Sequence, residues 1–297
     1  MSPLLTVTGL EAGGVLRGVS FTVGRGEVVC VVGPPGSGKS ALMECLSGCR
    51  EPDAGHVEAA GRMGASLPGD RLPARMKVRE AITLFSGLYG TRGLPAHLVD
   101  LLELEPFLPR RYGTLTEGQR RRAHFALALV GNPELVLLDD PTSGLRDGSR
   151  DRIEAAIAEL STGYGAVCMT AADPAQAERL ADRVVLVRAG RVLAEAEPSR
   201  LVRQLGADWV LRVPPHAELP DLPDVRVLPG SAATYLYGER PALERAARQV
   251  PGVNGGRVRP TTLRDAYLTL AADPRPEPEP ATLTGRLVGP PALEAGP

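Results

Sequence analysis

The stretch Gly33-Pro34-Pro35-Gly36-Ser37-Gly38-Lys39-Ser40 decides the fold. It fits the pattern G-x-x-x-x-G-K-[S/T], in which glycines let backbone N–H groups wrap phosphates in front of a helix N-terminus. The apolar run EVVCVV precedes it and ALMECLSGC follows it, which predicts strand, glycine loop and a helix ending near Gly48. We therefore predict a phosphate-binding loop, where Lys39 reaches the β and γ phosphates and Ser40 ligates magnesium.

A second apolar strand ends in two carboxylates. Leu135-Val136-Leu137-Leu138 runs into Asp139 and Asp140, about 100 residues after the phosphate loop and beyond a helical stretch. Proteins with such a loop use a strand of this form to hold magnesium directly or through water. A buried strand that merely runs into an acidic turn is the alternative interpretation, and the spacing favours the metal-supporting role for Asp139.

Strands alternate with helices along most of the chain, which predicts an α/β fold with a parallel sheet. Residues 74–130 are mostly helical in pattern and indicate a helical subdomain between sheet elements. From residue 206 the pattern changes, and residues 206–272 are predicted to form a small α+β accessory domain. Proline is frequent in residues 273–297, which we predict to be a disordered tail.

The composition excludes several classes of function. Lys and Arg number 34 and Asp and Glu 35, so the net charge of -1 gives no basis for binding nucleic acid non-specifically. The four cysteines are too few and too scattered for a disulfide framework, which fits a reducing cytosol. The N-terminus does not resemble a signal peptide, and no apolar run approaches the roughly 18 residues of a spanning helix. Any membrane association is therefore expected to be peripheral.

Three motifs together resemble the ATP-binding subunit of an ABC transporter. They are the phosphate loop, Leu115-Thr116-Glu117-Gly118-Gln119 followed by three arginines, and LLDDPTSGL at 137–145. The LTEGQ stretch resembles the LSGGQ signature of that family, and the order and spacing of the motifs agree from residue 4 to about residue 205. The segment TTLRDAYLTLAA at 261–272 resembles the closing segment of the drug-exporter branch, which includes daunorubicin-type efflux pumps.

The resemblance implies a function and an assembly. Residues 1–205 would form an ABC-type ATPase domain on the cytoplasmic side of the cell membrane, binding ATP and Mg²⁺ and driving a separate polytopic permease. Two ATPase chains, identical or different, would clamp ATP between them. Each nucleotide would contact residues 33–40 and Ala41 of one chain and Thr116, Gly118 and Gln119 of the other. Asp139 would support the metal, and Asp140 is the candidate base for the attacking water.

The signature also has a purely local interpretation. Thr116 and Gln119 fit a capping box at the start of the helix EGQRRRAHFALALV. Glu117 replaces a glycine of the family and brings negative charge toward phosphate, which weakens the clamp unless its side chain turns away. We expect the arginines 120–122 to form a solvated face or a charge near phosphate.

Several other positions depart from the family. Asp140 stands where the family has a longer glutamate, Gly69 aligns with a glutamine that serves magnesium and the membrane partner, and Ala172 aligns with a histidine that touches the γ-phosphate. The aromatic residue that stacks on adenine is missing from Leu10 to Gly14. A displacement near 1 Å at a catalytic group costs about 100-fold in rate, so hydrolysis is expected to be slow.

Three functional hypotheses follow. The first is an exporter subunit that hydrolyses ATP, with drugs or small molecules as cargo. The second is a pseudo-ATPase whose ATP-dependent dimerisation regulates without much turnover. The third, a soluble kinase or a ribosome-acting ABC protein, fits poorly, because kinases lack the LTEGQ motif and ribosome-acting members usually carry two ATPase domains.

Overall fold

The computed structural model describes residues 2–67, 69, 71–145, 148–163, 165–215, 217–220, 222–230, 232–250, 253 and 257–272. The strands are β1 Leu5–Ala12, β2 Leu16–Val23, β3 Val28–Val32, β4 Ala54–Ala59, β5 Met63–Ser66, β6 Leu135–Leu138, β7 Ala166–Ala171, β8 Arg183–Arg188, β9 Arg191–Ala196, β10 Trp209–Val213, β11 Arg226–Leu228, β12 Thr234–Gly238 and β13 Arg259–Pro260. The helices are α1 Lys39–Leu46, α2 Val78–Tyr89, α3 Ala96–Leu101, α4 Glu117–Leu129, α5 Ser149–Thr162, α6 Pro174–Leu180, α7 Pro198–Arg203, α8 Arg240–Gln249 and α9 Leu263–Ala272. The predicted tail, 273–297, lies outside the described residues.

A six-stranded sheet in the order β5-β6-β7-β3-β8-β9 forms the centre of the molecule. Its first five strands are parallel, and β9 pairs antiparallel with β8. The predicted α/β fold is thus confirmed. The loops that follow β3, β6 and β7 all leave the carboxyl edge of this sheet, which is where open α/β sheets bind ligands.

Strand β3 is apolar at every position because both of its faces are buried. Val28, Cys30 and Val32 join the core on one face of the sheet, whereas Val29 and Val31 join the core on the other face. Helices α4, α5 and α6 contribute to the first core, and α1 packs with the antiparallel sheet β2-β1-β4 in the second. A parallel strand that is covered on both faces has no solvent-facing positions for polar residues. The strand that precedes the phosphate loop is therefore packed on both sides.

The helical part between β5 and β6 contains α2, α3 and α4 with two short 3₁₀ turns, Glu105–Phe107 and Tyr112–Thr114. Arg122 of α4 is only 9% exposed. Its Nη1 donates to the carbonyl of Leu102 at 2.9 Å, and its guanidinium lies 5.1 Å from the ring centre of Phe107. The expectation of a solvated arginine face is therefore wrong for Arg122, whose apolar stem and planar head are packed into the helical part.

The segment after residue 206 forms an antiparallel sheet, β11-β12-β10-β13, with α8 packed on it. Helix α9 instead contacts α6 and α7, and its Leu263 and Ala266 belong to the core of the large sheet. Asp265, which is fully buried, accepts hydrogen bonds from both terminal nitrogens of Arg259 at 2.7 and 2.9 Å. The last helix thus ties the small sheet to the large one. Within the described residues, no helix has the length and apolar character needed to cross a membrane.

Candidate functional site

The phosphate loop is built between β3 and α1. Gly38 immediately precedes α1 with φ 101°, a backbone conformation that favours glycine, and a Cβ there would lie 2.8 Å from Cδ2 of Leu16. Lys39 Nζ donates to the carbonyls of Gly33 at 2.7 Å and Pro34 at 2.9 Å. The predicted loop is therefore formed, with its lysine folded along the loop carbonyls.

A cavity of about 380 Å³ opens beside the loop. Its lining combines predicted site residues from two segments with Ala172 and Val15. The predicted site residues are Pro35, Gly36, Gly38, Lys39, Ser40, Ala41, Asp139 and Asp140. Burial lowers the pKa of Lys39, and the carboxylates of Asp140 and Asp139 oppose that shift. The structure thus places one cation and two carboxyl groups around one space.

Asp139 is nearly buried, and its two carboxylate oxygens have different surroundings. Oδ1 accepts a hydrogen bond from the hydroxyl of Thr170 on β7, whereas buried Oδ2 has no hydrogen-bond partner among the described residues. A buried carboxylate oxygen without a partner is costly unless a cation or donor satisfies it. With Ser40 lining the same cavity, these oxygen atoms fit the hard-oxygen preference of Mg²⁺.

Asp140 has a left-handed backbone, with φ 46°. Its N–H donates to Thr170 Oγ1 at 2.9 Å, and its carbonyl accepts from Arg121 Nη1 at 3.4 Å and from the Ser143 N–H at 3.2 Å. Burial raises the pKa of its carboxyl, partly offset by a hydrogen bond with Ser143 and by the charges of Arg121 and Lys39. A carboxyl group with a raised pKa facing a phosphate cavity is suited to accepting a proton.

The signature forms the N-terminus of α4, and its capping box is present. Thr116 Oγ1 accepts from the Gln119 N–H at 3.3 Å, and Gln119 Oε1 accepts from the Thr116 N–H at 3.0 Å. A Cβ at Gly118 would lie 2.5 Å from the buried Ser149 hydroxyl, so glycine lets α4 approach α5 closely. Glu117 pairs with Arg121 at 3.3 Å, which draws its carboxylate along its own helix.

The signature and the phosphate loop lie at different cavities within one chain. Thr116, Gly118 and Gln119 are not among the described residues that line the phosphate cavity, and Glu117 lines a second cavity of about 410 Å³. Gly69 lines that second cavity as well, together with Ser66 and Leu67. The predicted nucleotide contacts therefore fall into two groups that a single chain does not bring together.

The sequence reasoning missed Thr170 and Val15 near the phosphate cavity, whereas it expected Arg121 to belong to a solvated face or to place a charge near phosphate. Thr170 and Arg121 touch Asp140 from another strand and from the signature helix. Val15, in the turn between β1 and β2, lines the phosphate cavity near the position where an aromatic residue was sought. Only the single hydroxyl in the apolar strand AVCMTA offered a sequence signal for Thr170.

The comparisons with known proteins agree with this geometry. The family model "ABC transporter" matches residues 16–143. The "Nod factor export ATP-binding protein I" of Rhizobium meliloti (strain 1021) is 32% identical over 281 residues, which cover 86% of this chain and 83% of that protein. The chain belongs to the ABC transporter ATP-binding family.

Solved structures show the same fold for this ABC ATPase. The structure of an ATP-binding subunit of an ABC transporter superposes with a TM-score of 0.63 at 26% identity, covering 68% of this chain and 93% of that one. A dimeric, post-hydrolysis ATP-binding cassette bound to ADP and Pi superposes with a TM-score of 0.59 at 21% identity, covering 65% and 98%. The ABC ATPase is thus an ATP-binding subunit whose central sheet and helical part follow the family fold.

Proposed function

We propose that this ABC ATPase powers export of a small molecule by a separate membrane permease. The observation that carries the proposal is the phosphate cavity, where Lys39, Ser40, Asp139 and Asp140 converge at the carboxyl edge of the sheet. The Rhizobium relative is named for export of Nod factor, and its alignment covers 86% of this chain. The closing segment at 261–272 resembles that of drug exporters, which favours efflux of drug-like molecules.

The chain's own residues account for nucleotide binding. The loop from Gly33 to Ser40 presents backbone N–H groups and the N-terminus of α1 to the phosphates, and Lys39 exchanges its loop carbonyls for phosphate oxygens. Ser40 and Asp139 would hold Mg²⁺, which when bound neutralises charge on the β and γ phosphates. Asp140 orients the attacking water and accepts its proton. Ala41, at the start of α1, lines the same cavity.

Dimerisation supplies the remaining contacts. Thr116, Gly118 and Gln119 lie outside the phosphate cavity of their own chain, so in this proposal they contact the γ-phosphate held by a second ATPase chain. The N-terminus of α4 is suited to that task, because unsatisfied N–H groups and the helix dipole attract anions. The second chain is either a copy of this one or a different ATPase subunit.

The permease is proposed to dock on the helical part. The second cavity, about 410 Å³, shares Arg71, Leu72 and His124 with a neighbouring cavity of about 230 Å³. The exposed apolar side chains of Leu84, Leu88 and Tyr89 lie on α2, and Tyr89 lines the smaller cavity. Exposed apolar patches of this kind mark protein interfaces. Docking here places the protein peripherally on the cytoplasmic side of the membrane.

We also propose a division of the chain into two domains. Residues 1–205 carry the ATPase machinery with the helical subdomain at 74–130, and residues 206–272 carry the accessory sheet. Because α9 packs on α6 and α7, the accessory region has a direct connection to the segment that follows Ala172.

A pseudo-ATPase is the second candidate, and one specific observation favours it. Ala172 lines the phosphate cavity at the position of the family's histidine, and it offers only a methyl group to the γ-phosphate. Steady-state ATP hydrolysis, measured for the purified chain alone and then with its permease in vesicles, separates the candidates. Turnover that the permease stimulates supports the exporter, whereas ATP binding with no turnover in either sample supports the regulator.

A further inference from the structure

Thr170 joins the two carboxylate residues of the site through one hydroxyl. The side chain is fully buried on β7, its oxygen accepts the Asp140 N–H at 2.9 Å, and its hydrogen is donated to Asp139 Oδ1. The direction of these bonds is unambiguous, because a backbone N–H can only donate and an ionised carboxylate can only accept. Hydrogen bonds to ionised groups are the stronger kind.

This arrangement determines which carboxylate oxygen is available. With Oδ1 of Asp139 engaged by Thr170, the oxygen without a described partner is Oδ2. The same hydroxyl holds the N–H of Asp140, whose left-handed backbone is held at its carbonyl by Arg121 and Ser143. Removing the hydroxyl would free the Asp139 carboxylate to turn and would leave the partly buried Asp140 N–H without its acceptor.

We propose that Thr170 is a positioning residue for the Mg–nucleotide complex, orienting the carboxylate of Asp139 and the backbone of Asp140. The proposal rests on the proposed nucleotide site. Partners that orient metal-binding side chains typically contribute 10–100-fold to metal affinity, which sets the size of the effect. Thr170 would act through Asp139 and Asp140 and would not itself touch the nucleotide.

Thr142 offers a matched control within the same region. It is also fully buried and follows the same pair of aspartates, but its hydroxyl has no hydrogen-bond partner among the described residues. Thr→Val is nearly isosteric at both positions, so both variants lose a buried hydroxyl. Only the variant at position 170 loses a link to the carboxylates.

The experiment measures ATP affinity by calorimetry in EDTA and again in Mg²⁺, for wild type, Thr170→Val, Thr170→Ser and Thr142→Val. We expect Thr170→Val to lower the Mg²⁺-dependent gain in affinity at least about tenfold while the affinity in EDTA stays within about twofold of wild type. Thr170→Ser keeps the hydroxyl and should show the Mg²⁺-dependent gain in ATP affinity of wild type. Thr142→Val should show the same gain, because its lost hydroxyl makes no hydrogen bond to either aspartate. Melting temperatures of the four proteins verify that all are folded.

The proposal is overturned if Thr170→Val keeps the Mg²⁺-dependent gain, if Thr142→Val loses it equally, or if serine does not restore it. Should valine not fold, Thr170→Ala undergoes the same titration. Failure of both to fold beside a folded Thr142→Val would assign the hydroxyl a structural role and reject the proposal. If wild type bound ATP neither in EDTA nor in Mg²⁺, or if Lys39→Ala bound it equally well, the nucleotide site itself would be refuted.

Discussion

The phosphate-loop side and the signature side of the ATPase domain differ in what their predicted site residues bond to within the chain. On the phosphate-loop side, buried Asp139 Oδ2 and Ser37 Oγ have no hydrogen-bond partner among the described residues. On the signature side, Thr116 and Gln119 bond each other, and Glu117 pairs with Arg121. An unpartnered carboxylate oxygen of a residue that lines a cavity is suited to a cation, whereas the capped start of α4 is held in shape for contact with another chain.

The departures from the family occur on both sides, but only those at the phosphate cavity affect the groups that act on the attacking water and the γ-phosphate. Asp140 and Ala172 line the phosphate cavity, whereas Gly69, which we expected on that side, lines the second cavity with Glu117. Apart from Glu117, the signature keeps its hydroxyl, its second glycine and its glutamine. This asymmetry leads us to propose a heterodimer, in which the signature of this chain completes the site of a more complete ATPase. Copurification from the native host of a permease with this ATPase chain alone, at full transport activity, would refute the heterodimer.

The largest expected effect tests whether the phosphate-loop side alone binds ATP. Lys39→Ala should weaken ATP binding about 100-fold, because charged hydrogen bonds to the phosphates are lost. The chain's other lysine, Lys77, pairs with Glu80 at 4.0 Å at the start of α2, so Lys77→Ala is the matched control. Calorimetry with ATP measures both variants. Unchanged affinity in Lys39→Ala would show that the nucleotide binds elsewhere.

Asp140 tests whether the short carboxylate limits the rate on that side. Asp140→Glu should raise ATP turnover about tenfold by restoring the reach that the family's chemistry uses. Asp140→Asn retains the size of the side chain but removes the carboxylate that accepts the proton, and it should lower turnover. Both are measured as steady-state phosphate release at saturating ATP.

A contrary result at Asp140 would also be informative. The left-handed backbone at this position suits aspartate better than glutamate, which opposes the gain. If Asp140→Glu left turnover unchanged or reduced it, the carboxylate length would not be limiting. The Asp140→Glu, Ala172→His double variant would then test the missing histidine.

Val15 tests how tightly the phosphate-loop side holds the adenine ring of ATP. Val15 is 39% exposed and lines the cavity, so Val15→Tyr offers a ring for stacking on adenine. An aromatic stack contributes about 1 kcal/mol, which is about a fivefold gain in ATP affinity. Val227→Tyr, at a similarly exposed valine on β11, is the control. Equal ATP affinities for Val15→Tyr and wild type would mean that adenine binds away from the turn between β1 and β2.

The smallest effect concerns the signature side. Glu117→Gln removes a negative charge that would face the γ-phosphate of the second chain, and the lost repulsion should strengthen ATP-dependent dimerisation about threefold, because exposed charge pairs contribute about 0.2–1 kcal/mol. Glu105→Gln, in the 3₁₀ turn Glu105–Phe107, is the control. Sedimentation with ATP, using Asp140→Asn as the background for all variants, measures the dimer. A weaker dimer in Glu117→Gln would mean that Glu117 makes a favourable contact.

The sequence by itself determined the elements whose causes are local. The glycine loop, the strand before it and the helix after it lie within about 20 residues, and the capping box spans four residues, Thr116 to Gln119, at one helix start. Such features follow from backbone freedom at glycine and from the periodicity of apolar residues. The alternation of strands and helices likewise predicted the parallel sheet.

Only the tertiary structure decided which distant residues meet at the site. Thr170 lies 30 residues from Asp140, Arg121 lies 19 residues from it, and Val15 reaches the cavity from the first hairpin. The strand pairing β6-β7 brings Thr170 beside the two aspartates, and the packing of α4 brings Arg121 there. No local pattern encodes these contacts, because they depend on strand register and helix packing across the whole domain.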